Sequence, residues 1–78
     1  MYAHRHTAKL FLEQSIKDER DRVLERAALT KRQLEIVELK RDMYSWEVAD
    51  ELGLSQDAIT KELGKIHDKV YKVLKSRI

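Results

Sequence analysis

Between Ser55 and Lys69 the chain carries polar side chains of the types that read a nucleic acid. Gln56 can pair bidentately with adenine, Asp57 can accept from a cytosine amino group, and Lys61 or Lys65 can reach guanine or phosphate. Ser55 and the free amides of a helix start can hold a phosphate. Thr60 shares the exposed face expected for these residues. Gly64 lies mid-face, where a missing side chain lets a nucleic-acid backbone come close. Lys69 extends the row of cations toward Lys72 and Lys75. Other chemistry has little support. No Ser–His–Asp arrangement, phosphate-cradling glycine loop or isolated carboxylate pair stands out, so no catalytic residue is expected. His4 and His6 lie two apart with no carboxylate or thiol at ligand spacing, and a metal site or other cofactor is not expected there.

The elements that must position these residues are helices. The chain has 78 residues, no proline and two glycines, in a background rich in Leu, Glu, Lys, Arg and Ala. The expected fold is all-α: four helices, with a tri-helical helix-turn-helix at the centre and a long C-terminal recognition helix. The first helix is expected from about Thr7 to Ala28. Its apolar seam is Leu12, Ile16, Val23 and Ala27, interrupted by Glu19 and Arg20 where the repeat wants apolar groups, with Phe11 and Leu24 off the seam. A rod with so narrow a seam needs another surface. Residues 1–28 are therefore expected either to cap the remainder or to form an oligomer interface through those four residues, and residues 29–78 to form the helix-turn-helix domain.

The second helix has the clearest start. Thr30 and Gln33 stand at capping-box spacing, and Leu29 and Leu34 suit a hydrophobic staple. Leu34, Ile36, Val37 and Leu39 supply its buried face, and it should stop near Arg41-Asp42. Ser45 is the expected cap of a short third helix, Trp46–Leu52, with Trp46 read as a core or rim aromatic and Tyr44 equally ambiguous. Gly53 ends that helix in the left-handed conformation, Leu54 plugs the turn, and Ser55 caps a fourth helix reaching toward Arg77. On this last helix Ile59, Leu63, Ile66, Val70, Val73 and Leu74 fall within an arc of roughly 100°, opposite the lysines. A small residue at Ala49, glycine in the turn at Gly53 and apolar locks at Val48, Leu52, Leu54, Ile59 and Leu63 are what two closely crossing helices require.

Charge supports the same partner. Lysine and arginine number 16 against 14 acids, and residues 55–78 hold six of those cations against three acids. Such a face is often only solvated, but here it adjoins the recognition segment. There is no cysteine, which fits a reducing, cytoplasmic setting and excludes thiol chemistry. No apolar run approaches a membrane span, so no membrane partner is expected.

From Leu29 to about Leu74 the sequence resembles the C-terminal domain of bacterial sigma factors, region four, which reads the upstream promoter hexamer. Leu29-Thr30, Arg32-Gln33, Glu35-Ile36-Val37 and Leu39 resemble that family's opening helix. Tyr44-Ser45-Trp46-Glu47-Val48-Ala49 with Leu52-Gly53-Leu54-Ser55 resembles its helix-turn-helix entry. LuxR-type regulators are similar too, although Lys69-Val70-Tyr71-Lys72-Val73 continues where they usually break. The resemblance implies a transcription regulator that binds duplex DNA, with RNA polymerase as a further candidate partner. Gln56-Asp57 stand where the sigma domain commonly carries arginines, so no target sequence is implied, and the chain has no room for a promoter-melting domain. Two other readings stay open: a protein-binding module that mimics a sigma domain, and the DNA-binding part of a phage packaging complex. One recognition helix buries little surface, so a homodimer or a larger partner is expected as well.

Overall fold

The computed structural model describes residues 2–76, with side chains from His6 onward. Five helices follow one another: α1 (Tyr2–Gln14), α2 (Lys17–Arg26), α3 (Lys31–Lys40), α4 (Ser45–Leu52) and α5 (Gln56–Ser76). No strand occurs among the described residues. The long α5 is the axle, touching each of the other four helices, while α3 and α4 also touch each other. Ile36, Val48, Ile59, Ile66 and Val70 are the largest fully enclosed side chains, three of them from α5. Each such burial is worth about 1.5–3 kcal/mol.

The expected single N-terminal helix is in fact two. Its ladder ends with Ser15 N–H donating to Phe11 O, and resumes with Arg20 N–H donating to Ile16 O. Between them Ile16 is extended, at φ −66° and ψ 154°. The physical reason lies in the apolar pattern. In one straight helix Ala8, Phe11 and Leu12 would point roughly 110° away from Val23, Leu24 and Ala27. Breaking at Ser15-Ile16 lets both sets face the same core, where Ala8, Val23, Leu24 and Ala27 are buried and Phe11 and Leu12 pack against them. Phe11 and Leu24, expected off the seam, thus belong inside. Ile16 is left 71% exposed.

The second expected helix is α3. Gln33 N–H donates to Thr30 Oγ1 at 3.1 Å, and Thr30 N–H donates back to Gln33 Oε1 at 3.0 Å, a reciprocal capping box. Leu34, expected inside, is 42% exposed. It lies roughly 100° around the helix from the mean direction of Gln33, Ile36 and Val37, and the enclosed place next to it belongs to Gln33.

Helix α4 starts one residue away from expectation. Tyr44 holds the N-cap position and Ser45 is the first helical residue. Glu47 fixes that start by accepting the Tyr44 N–H at 2.9 Å. Trp46 is 57% exposed and Tyr44 71% exposed, so neither is a core aromatic. At the other end Gly53 has φ +67°. Leu54 N–H donates to Ala49 O and Gly53 N–H to Asp50 O, the paired bonds of a Schellman stop. A Cβ at Gly53 would meet nothing within 4 Å, so backbone conformation rather than space calls for glycine here. Ala28 also has positive φ, 53°, and ends the α2 segment without that advantage.

Candidate nucleic-acid interface

Ser55 closes the turn after α4 and starts α5, its Oγ accepting the Ala58 N–H at 3.1 Å. Helix α5 turns Ile59, Ile66, Val70 and Val73 inward. That orientation leaves Gln56, Asp57, Thr60, Lys61 and Lys65 exposed, and Gly64 half-buried among them. These residues span roughly half the circumference of the helix, centred away from the core. Thr60 is partly committed, its hydroxyl donating to Gln56 O at 3.1 Å. Lys65 pairs with Glu62 at 3.6 Å while its side chain stays largely exposed, so the contact is a weak tether. Lys61, Lys65, Lys72 and Lys75 are all exposed along α5.

Lys69 departs from the expected stripe. Its Nζ donates to Gln33 Oε1 at 2.9 Å, and Gln33 Nε2 donates to Glu62 Oε1 at 3.3 Å. Gln33 is itself buried. One amide therefore caps α3 and joins that helix to two residues of α5. Lys69 belongs to this internal junction and not to the open face.

The four residues expected to mediate oligomerisation separate. Val23 and Ala27 are buried in the chain's own core, Leu12 packs partly against it, and Ile16 alone remains exposed. Helices α1 and α2 both lie on α5.

A second polar feature was hidden in the sequence. Arg20, which looks like a charge misplaced in an apolar seam, is only 6% exposed, and its Nε and Nη2 are enclosed without a hydrogen-bond partner. It lines an open cleft of about 840 Å³ that Thr60 and Gly64 also border. Leu34, Leu39 and Leu52 form a separate shallow apolar groove rimmed by Glu35, Glu38, Glu51 and Lys31.

Among the described residues no group of three or more His, Cys, Asp or Glu could hold a metal ion. His4, which with His6 was not expected to hold a metal, has its side chain outside the described residues, and Arg77 at the far end lies outside them too. No described helix is long and apolar enough to cross a membrane. No family model matches this sequence, no curated protein matches it, and no solved structure matches its fold.

Proposed function

We propose that this chain binds duplex DNA as a transcription regulator, with α4 and α5 acting as a helix-turn-helix and the N-terminal half of α5 entering the major groove. The observation that carries this reading is the α4–Gly53–α5 pair itself. A Schellman stop joins the two helices, and Gln56, Asp57, Thr60, Lys61 and Lys65 share the side of α5 opposite its core. Gln56, Asp57 and Lys61 are the base-reading candidates. Lys65, Ser55 and the first amides of α5 are the phosphate contacts. The resemblance to sigma region four fits this reading and suggests a bacterial or phage cytoplasmic setting.

Selection of bound duplexes from a random-sequence pool tests it. Enrichment of a defined site supports sequence reading. A palindromic site would also point to a homodimer on DNA, and a single half-site to a monomer or a larger partner. Recovery of no sequence above background excludes sequence-specific DNA binding.

A second reading draws on a different observation. Exposed Tyr44 and Trp46 at the start of α4, and the acid-rimmed apolar groove between α3 and α4, are suited to a protein partner such as RNA polymerase. Capture of polymerase after nuclease treatment, by a chain without DNA affinity of its own, would favour a sigma-mimicking protein module. A phage packaging role would share the DNA face and differ in the partner captured.

A further inference from the structure

Arg20 sits near the start of α2 with its Nε and Nη2 enclosed, and these two nitrogens meet no hydrogen-bond partner. A buried charge without a partner costs several kcal/mol, so a retained one requires a counter-charge from somewhere. The chain does not supply one at those two nitrogens. Glu13 and Asp42 border the same cleft, yet neither bonds to Nε or Nη2.

The surroundings add positive charge. Lys9 from α1, Lys40 from α3 and Arg41 just beyond α3 line the cleft with Arg20. Arg41 is already engaged with Glu38 at 3.3 Å, which leaves Arg20, Lys9 and Lys40 facing Glu13 and Asp42 around the opening. The volume, about 840 Å³, lies in the range of sites that hold small organic ligands.

We infer that this cleft binds a phosphate group, gripped by the Arg20 guanidinium and flanked by Lys9 and Lys40. A planar guanidinium matches two phosphate oxygens at once, which a lone lysine does not. The phosphate has two sources of the same chemistry. One is a small phosphorylated molecule, for which the cleft has room. The other is a strand phosphate of DNA lying on α5, since Thr60 and Gly64 border both surfaces. The second source alone rests on the DNA-binding reading.

The experiment follows the Arg20 Nε–H resonance of the full chain by NMR, together with Tm, and has two arms. One titrates inorganic pyrophosphate against sodium chloride of matched ionic strength. The other titrates a short duplex. A saturable shift of the Arg20 resonance with pyrophosphate, and a Tm rise of several degrees at saturation, identify a free phosphorylated ligand. A shift with duplex only assigns the phosphate to the strand. Arg20→Met should lose the response while its own Tm equals or exceeds that of the unliganded wild type, because an unpaired buried charge has been removed. No movement of the wild-type resonance in either arm overturns the proposal, whatever the variant does. So does a response of equal size in Arg20→Met, which would place the anion on surface lysines. The pyrophosphate arm contains no DNA, so it can fail or succeed independently of the function proposed above.

Discussion

Lys69 Nζ donates to Gln33 Oε1 at 2.9 Å across 36 positions of sequence, and this bond fastens the first turn of α3 to the middle of α5. The same oxygen accepts the Thr30 N–H, so the helix cap and the interhelical tie share one atom. Lys69→Met should therefore cost about 1 kcal/mol of stability, lowering Tm by roughly 4–8 °C for a chain of this size. It should leave the salt dependence of duplex binding unchanged. A reduced slope with unaltered Tm would return Lys69 to the DNA face.

Two positions in the left-handed region should respond in opposite directions. Gly53→Ala places a side chain at φ +67° and should destabilise by about 1 kcal/mol, although nothing obstructs the new methyl. Ala28→Gly relieves φ 53° at the end of α2 and should gain about 0.5–1 kcal/mol. Denaturant unfolding of the pair checks both signs.

The broken N-terminal helix makes a sharp contrast between neighbouring seam residues. Val23→Lys should unfold much of the chain, because Val23 lies inside the core. Ile16→Lys should stay within about 0.5 kcal/mol of wild type, since Ile16 faces solvent at the bend. Equal damage from both would contradict the division into α1 and α2.

Core truncation sets the scale of what the chain tolerates. Ile66→Ala should cost about 2–5 kcal/mol, since Ile66 is fully enclosed on the inner face of α5. Native domains have only about 5–15 kcal/mol in total, so circular dichroism should show a large loss of Tm or an unfolded chain.

Local signals were legible in the sequence where one residue type solves one local problem. Thr30 and Gln33 had the spacing of a reciprocal cap, and Gly53 had the position of a left-handed stop. The inward face of α5 followed from its spacing of Ile59, Ile66, Val70 and Val73. What escaped depended on how helices meet. The turn at Ser15-Ile16 has no proline or glycine to announce it, and only the roughly 110° mismatch between two apolar sets requires it. Trp46 read as a core or rim aromatic, and its direction on α4, roughly 110° from the mean of Val48, Ala49 and Leu52, keeps it out of the core. Lys69 fitted the lysine stripe, and only the packing of α3 brings Gln33 within its reach. Arg20 did leave a trace, as a charge where the seam wanted an apolar group. A charge in such a place can mark either a defect in a seam or a buried functional group, and three-dimensional packing decides between them.

The central claim is that the exposed face of α5 engages the phosphates and bases of duplex DNA, and the salt dependence of binding tests it most directly. Fluorescence anisotropy of a labelled duplex, measured across a range of salt, gives the slope of log affinity against log salt. For wild type the slope should be clearly negative, and Lys61→Ala with Lys65→Ala should weaken binding and reduce its magnitude by about 1 for each phosphate contact removed. Both lysines are exposed, so their replacement should leave Tm nearly unchanged. A wild-type chain with no salt-dependent affinity for any duplex, or a double variant whose slope equals that of wild type, would contradict the account.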